Sequence, residues 1–344
     1  MRWLLQGLQR LSAATVRGAR DGTLVVQPLP GIGDMIWHLG HIHSIAAVDG
    51  APVTILTKPR SRAKELFVAD RAVKEVLWLE RNPGRHDGLI GFFRLVCMLR
   101  GRRFARAWLL HGSSRLAWTL LLAGIPLTIG YGRGLQRCLL TSPITLPPEA
   151  THGHPIRLAD DLLQAHGIVR SEPAPRVVVD GAALHRIEAD YRHCATPWIA
   201  LGIGSSEPYK QWGQSRFSQL ASRLLRDDPG TVFLLGGPAE EAMARDIMQG
   251  LPALSGRIVA VTQRPLNESI ALLSHCSLCI SNDTGVFNAA AAAGIPALVL
   301  IISGWQPPWA DNVECVRPPA GSHEITAIDV EAVVKAAARL LGRT

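Results

Sequence analysis

The sequence predicts an α/β chain of two doubly wound, parallel-sheet domains. Three observations carry that prediction. The 344 residues suffice for two domains of ordinary size. Apolar runs of strand length alternate with amphipathic segments of helix length along the chain. Several of those runs end in a glycine-rich turn that opens a helix, as a parallel crossover unit requires. With 47% hydrophobic and 19% charged residues, a large core is expected and wholesale disorder is not.

In the first half, Leu24–Pro28 reads as a buried strand. The turn Pro30–Asp34 leads into a helix from Met35 to Val48. Val53–Thr57 is a second strand, followed by a charged helix from Arg60 to Phe67 and a third strand from Val73 to Leu79. Gly91–Arg103 is an amphipathic helix ending in Arg100, Arg102 and Arg103. Strand Ala105–Leu110, polar turn His111–Arg115, helix Leu116–Ala123 and strand Leu127–Tyr131 continue the alternation. Residues 151–167 read as helical. Ile168–Arg176, with Pro173 and Pro175, reads as a hinge.

The second half repeats the pattern. Strand Trp198–Ile203 runs into a polar loop from Gly204 to Gly213, then a helix from Arg216 to Arg226. Strand Thr231–Leu235 closes on Gly236-Gly237. Helix Glu240–Gln249, strand Ile258–Val261 and helix Leu266–Ser274 follow. Leu278–Ile280 and Ala297–Ile302 are strands around an alanine-rich helix that Gly294 and Pro296 end. Val330–Leu341 is a final amphipathic helix. The expected domains are 1–170 and 171–325, with 326–344 as a terminal helix. Ligands of such sheets bind beyond the carboxyl ends of the strands, so a cleft between the domains is the default site.

The net charge of +8 fits phosphorylated substrates, anionic lipid or nucleic acid. Aromatics at 6%, without a zinc-finger or RNP-type pattern, disfavour nucleic acid. Of the six cysteines only Cys276 and Cys279 form a C-x-x-C. No second pair completes a zinc site, and no disulfide framework is evident, so a cytoplasmic protein without metal is expected. His38, His41 and His43 do not share one helical face. No run reaches membrane-spanning length. Leu4, Leu8 and Leu11, with Arg2, Arg10, Arg17 and Arg20 interspersed, fit either a helix lying on an anionic membrane or one packed on its own domain.

Three turns carry chemistry. Asp283-Thr284-Gly285 lies where a helix begins, so its free N–H groups and dipole suit an anion such as a diphosphate; a plain capped helix is the alternative. Asp34, after Gly31 and Gly33, is either an N-cap or a general base. Lys210, with Ser205 and Ser206 nearby, is either a solvated lysine or a cation for a phosphate. Gly31-Ile32-Gly33 lacks the third glycine of a dinucleotide fingerprint.

Taken together and in order, four stretches resemble glycosyltransferase family 9, the lipopolysaccharide heptosyltransferases and their relatives. They are Gly31–Asp34, Lys210–Trp212 with Arg216-Phe217, Leu234–Pro238 with Glu240-Glu241, and Ser281–Gly285, with His111–Ser113 and Ile129–Tyr131 also fitting. The resemblance runs from about residue 24 to 340. It implies a GT-B fold, with an acceptor-side first domain facing a nucleotide-sugar-binding second domain across a cleft, and the last helix packing back toward the first. It implies an inverting, metal-independent transferase that takes a nucleotide sugar such as ADP-heptose. The acceptor would be the lipopolysaccharide core or a related lipid-linked or phosphorylated glycan, at the inner face of the cytoplasmic membrane.

By position, Asp34 would be the base and Lys210 would steady the leaving diphosphate. Gly204, Ser205, Ser206, Gly236, Glu240, Glu241, Asp283, Thr284, Gly285 and Asn288 would bind the donor, one of the two glutamates near the ribose. Gly33, Trp37, His38, His111 and Arg115 would lie on the acceptor side. The chain departs from the family at Asn288, where histidine is usual, at Trp37-His38, and at Gly304–Pro308. Those departures leave open another nucleotide sugar for another surface polysaccharide, or a non-catalytic sugar-nucleotide or glycan-binding protein.

Overall fold

The computed structural model describes residues 20–151, 153–170, 174–205, 207–226, 229–302 and 312–342. The N-terminal helix, expected on an anionic membrane or on its own domain, the stretch Gly304–Pro308, Pro173 and Ser206 lie outside these residues. The chain divides into two compact units, Met1–Pro173 and Ala174–Thr344, three residues beyond the expected boundary.

In the first unit β1 (Thr23–Val26) is followed by α1 (Ile32–Trp37), α2 (Leu39–Asp49), β2 (Val53–Thr57), α3 (Ala63–Leu66) and β3 (Val73–Trp78). Then come α4 (Gly88–Arg102), β4 (Arg106–Leu109), α5 (Ser114–Leu122), β5 (Leu127–Gly130), α6 (Gln136–Leu139) and α7 (Pro155–Ala165). The strands form one parallel sheet in the order β3-β2-β1-β4-β5. All four residues of β1 are buried, as a strand covered by helices on both faces must be. Leu24, Val26, Leu56, Ala107 and Leu109 of the sheet pack with Leu95 and Leu99 of α4 and Leu116 and Leu120 of α5.

Two helices differ from the sequence expectation. The helix expected over Met35–Val48 is two, α1 and α2, interrupted at His38 (φ −96°, ψ 1°). The helix expected over Arg60–Phe67 shrinks to a single 3₁₀ turn and the short α3. Arg62 between them sits in the left-handed region at φ 50°, where a continuous helix cannot pass.

The second unit comprises α8 (Gly181–Tyr191), β6 (Trp198–Gly202), α9 (Gln214–Arg226), β7 (Thr231–Leu235), α10 (Glu241–Gln249) and β8 (Ile258–Val261). It continues with α11 (Leu266–His275), β9 (Leu278–Asn282), α12 (Gly285–Ala292), β10 (Ala297–Leu300), β11 (Val313–Val316) and α13 (Val330–Leu340). Its parallel sheet runs β11-β10-β9-β6-β7-β8. Helix α13 buries Val330, Val333, Ala336 and Ala337 in this unit's core, beside Phe217 and Leu220 of α9.

Both strand orders reverse once. In the first sheet the chain winds outward from β1 through β2 and β3, then returns to place β4 on the other side of β1. In the second, β9 returns to the free side of β6. At such a reversal the loops leaving two adjacent strands part in opposite directions and open a crevice at their carboxyl ends. The loops concerned follow β1 and β4 in one unit and β6 and β9 in the other. Those four loops hold Asp34, His111, Lys210 and Asp283.

Candidate active site

In the first unit, Gly31 is the N-cap of α1 and Asp34 lies in its first turn. Asp34 Oδ2 accepts a hydrogen bond from the Gly31 N–H at 2.8 Å. A Cβ on residue 31 would stand 2.7 Å from that same oxygen, so only glycine lets the carboxylate fold back over the turn. The side chain is thus held by a backbone donor, with its residue half-buried at the strand end.

The turn is braced from beneath. The helix break sends the His38 N–H to the Met35 carbonyl at 3.0 Å instead of to Asp34. Side chains replace that missing bond. His38 Nδ1 stands 2.7 Å from the Asp34 carbonyl, and Gln27 Nε2 donates to it at 3.3 Å. A carbonyl only accepts, so Nδ1 carries the proton. His38 is fully buried; burial and then the neighbouring His41 hold its pKa down to about 3. The sequence placed His38 on the acceptor side. Its ring is instead sealed under the turn, neutral, and holds the backbone of Asp34.

Trp37 sets its ring 4.9 Å from the His154 ring, and Gly33 is the second residue of α1. Across the reversal, His111 follows β4. Its carbonyl accepts from Gln136 Nε2 at 2.7 Å, and burial, then Lys58 and Arg133, lower the pKa of its imidazole. Gly112 admits this arrangement, since a Cβ there would meet Arg133 Cδ at 3.0 Å. Lys58 and Arg133 add positive charge that the sequence reading missed; they lie far apart in sequence, beyond β2 and β5. Arg115 is committed elsewhere. Its Nη2 donates to the carbonyls of Gly88 at 2.7 Å and His86 at 3.2 Å, and its guanidinium lies over the Phe92 ring.

In the second unit the Lys210 loop is anchored by Trp212, fully buried against Phe217 with its Nε1 donating to the Ile328 carbonyl at 3.0 Å. Asn282, at the end of β9, ties this loop to the sheet. Its Oδ1 accepts from the Trp212 N–H at 3.3 Å. Its Nδ2 donates toward the carbonyls of Ile203 at 3.3 Å and Gly204 at 3.1 Å and toward Gln211 Oε1 at 3.1 Å. Sequence reasoning gave Asn282 no role. The available signal was a polar residue closing an apolar strand.

Lys210 Nζ lies 2.7 Å from Glu207 and 3.2 Å from Asp283. Burial opposes its charge, but the two carboxylates outweigh burial and raise its pKa. Lys210, Asp283 and Tyr209 line a cavity of about 340 Å³ closed by Leu300, Ile301, Ile302 and Ile325. Thr284 is the N-cap of α12, yet its side chain makes no cap hydrogen bond; its hydroxyl stands 3.4 Å from Ser281 Oγ. Asn288 Nδ2 donates to the Thr284 carbonyl at 2.8 Å and stiffens the first turn. Gly285 begins that helix. Ser205 Oγ donates to the Glu207 carbonyl at 2.8 Å and so shapes the loop.

The two glutamates separate. Glu240 Oε2 accepts from the Gly237 N–H at 2.7 Å. Its side chain lies so close to β6 and β7 that a Cβ on Gly204 would meet Glu240 Cδ at 2.9 Å, and one on Gly236 would meet Glu240 Cβ at 2.7 Å. Glu241 turns away, toward Gln263 and Arg245. Lys210, Asp283, Thr284, Gly204 and Glu240 therefore gather at the carboxyl edge of β6, β7 and β9. Among the described residues no group of three or more His, Cys, Asp or Glu could hold a metal ion.

The sequence model of glycosyltransferase family 9 (heptosyltransferase) matches residues 92–327, well over half of the chain. The chain belongs to glycosyltransferase family 9. It is a glycosyltransferase of the heptosyltransferase type. It is 25% identical over 245 residues to lipopolysaccharide heptosyltransferase 2 of Escherichia coli K12, covering 66% of this chain and 69% of that one. In fold it is similar to the solved E. coli ADP-heptose lps heptosyltransferase II, with TM-score 0.76, 21% identity, and 93% and 98% of the two chains covered. It is also similar to the family 9 glycosyl transferase of Veillonella parvula, with TM-score 0.78, 18% identity, and 95% and 99% covered. The parallel-sheet units are the Rossmann-like domains of the GT-B fold.

Proposed function

We propose that this family 9 enzyme moves a sugar from a nucleotide-diphosphate donor such as ADP-heptose to the lipopolysaccharide core or a related lipid-linked glycan, with inversion and without a metal. The observation that carries the donor half is the cavity around Lys210. A half-buried cation there adjoins the start of α12, whose N-cap hydroxyl is not used for capping. A lysine and a helix N-terminus supply fixed positive potential where a diphosphate would leave. Glu240, set against Gly204 and Gly236, is the glutamate we assign to a ribose.

Asp34 is the proposed general base. Its carboxylate sits at the reversal point of its sheet with one oxygen fixed by a backbone N–H, and a base so held can take the proton of an attacking hydroxyl. The resident ion pairs add a condition. Lys210 faces two carboxylates, Glu207 and Asp283, so a diphosphate competes with them for the ammonium. The names of the relatives support heptose and lipopolysaccharide, and Asn288 in place of the usual histidine keeps other sugars in play. A thermal-shift panel of ADP, GDP, UDP and CMP, free and sugar-linked, tests the donor. ADP-heptose should raise the melting temperature most. Preference for another base would refute the ADP assignment, and no response to any nucleotide would refute the donor site.

A further inference from the structure

Helix α4 begins with its hydrophobic side turned outward. Leu89 is 76% exposed, Ile90 80% and Phe93 55%, while Leu95, Val96 and Leu99 face the core. Positions 89, 90, 93, 94 and 97 fall on one arc of a helix with 3.6 residues per turn, and residues 89, 90, 93, 94 and 97 are all exposed. Soluble monomers seldom leave several large apolar side chains together on one turn.

The rim of this patch is basic. From Glu75 to Arg103 the chain carries six arginines against three acidic residues. Arg85, Arg94 and Arg103 are exposed, Arg85 paired with Glu80 at 3.0 Å and Arg103 at the far end of the helix. Apolar side chains bordered by Arg85 and Arg94 match the two layers of an anionic membrane interface: acyl chains for the first, phosphate headgroups for the second. A second copy of the chain fits worse, because it would bring two positive rims together.

The position matters as much as the chemistry. Helix α4 follows β3, so its start lies at the carboxyl edge of the first sheet. Arg115, which follows β4, fixes it there through the Gly88 carbonyl at 2.7 Å. Asp34 and His111 lie at this same edge.

We propose that the exposed face of Leu89, Ile90 and Phe93, with its arginine rim, docks the enzyme on an anionic phospholipid surface. The proposal deepens the reading of a lipid-held acceptor: that reading supplies its purpose, and the exposed patch supplies its evidence. No helix among the described residues is long and apolar enough to cross a membrane, so this face would lie in the interface plane.

The test is flotation of the full-length enzyme with phosphatidylcholine vesicles, with and without phosphatidylglycerol. It compares the native chain with a triple variant, Leu89→Ser, Ile90→Ser and Phe93→Ser. The native chain should bind the phosphatidylglycerol vesicles, less so as salt is raised. The triple variant should bind at least about tenfold more weakly, because three inserted side chains are lost. Melting temperature and transfer to a detergent-free, lipid-free acceptor should be unchanged. An environment-sensitive dye on Cys97, exposed on the same face, should brighten on the anionic vesicles only.

Equal binding by native and triple variant, or no binding by the native chain, would overturn the proposal while leaving the transferase reading intact. A dimer in sedimentation that the triple variant abolishes would also overturn it, in favour of a second copy. Loss of transfer to the soluble acceptor in the variant would place these residues in acceptor binding and remove the docking assignment. If the native chain binds vesicles as expected but no nucleotide sugar, the docking face stands and the proposed function falls.

Discussion

Replacing Asn282 by alanine should loosen the Lys210 loop at a cost that follows from its hydrogen bonds. The side chain is fully buried. Without it the Ile203 carbonyl keeps Gln211 Nε2 at 3.0 Å, and Gln211 Oε1 keeps the Gly213 N–H at 3.3 Å. The Trp212 N–H and the Gly204 carbonyl lose the bonds that Asn282 gives them. A buried group left without a partner costs about 1–3 kcal/mol. Gly204 is only half-buried, so about 3 kcal/mol is expected for the pair together. Asn282→Asp is the sharper variant. It keeps the acceptor facing Trp212 but turns an anionic oxygen toward three oxygens within 3.3 Å. It should be less stable than Asn282→Ala at neutral pH by more than about 1 kcal/mol. Urea unfolding with unchanged m-values measures both. An aspartate variant as stable as the alanine one would refute this hydrogen-bond assignment, and with it the role of Asn282 as the tether of the loop.

Four further outcomes follow from the site. Lys210→Met should weaken donor binding about tenfold or more, as loss of a charge-assisted contact does, whereas Glu207→Gln should tighten nucleotide binding a few-fold because one competitor for the lysine is gone; titration calorimetry reads both, and equal affinities would remove Lys210 from the donor site. Thr284→Ala should cost less than about 0.5 kcal/mol, below the ~1 kcal/mol of an ordinary cap, yet weaken donor binding several-fold; a full cap penalty with unchanged binding would make Thr284 structural. Gly204→Ala should displace Glu240, since the added Cβ would stand 2.9 Å from its Cδ, and weaken a ribose-containing donor more than free diphosphate. His38 has a folded pKa near 3 against the ordinary 6.5, so the unfolded chain binds the extra proton between those values and stability is lost as pH falls below 6.5. Between pH 8 and pH 5 that amounts to about 2 kcal/mol, which His38→Gln should not show; equal pH slopes would mean that His38 titrates normally.

The strands and the loops that carry the site were legible because both depend on neighbours in sequence. Fully buried parallel strands are unbroken apolar runs, as in Trp198–Ile203 and Thr231–Leu235. Glycine-rich turns after them mark helix starts, which brought out Asp34, Lys210 and Asp283. Strand β11 was missed because its side chains are only half-buried and it carries Glu314, so no apolar run announces it. The break at His38 was missed because what compensates it is a side-chain bond to the Asp34 carbonyl shared with Gln27 of the first strand's end, which no periodicity records. Asn282 was missed for the same reason at longer range: its partners lie 70 to 79 residues away. Position in sequence gave the choice between Glu240 and Glu241 no basis; the close approach of Gly204 and Gly236 to Glu240 is a contact between separate loops that no local pattern records.

Turnover by Asp34→Asn tests the central claim most directly. Asparagine keeps an oxygen for the Gly31 N–H but cannot take a proton. Transfer should fall by about 10²–10⁴-fold, while the affinity for the nucleotide sugar stays within about twofold, since the substitution leaves the Lys210 loop of the other unit untouched. A variant that transfers sugar at the native rate would contradict Asp34 as the base.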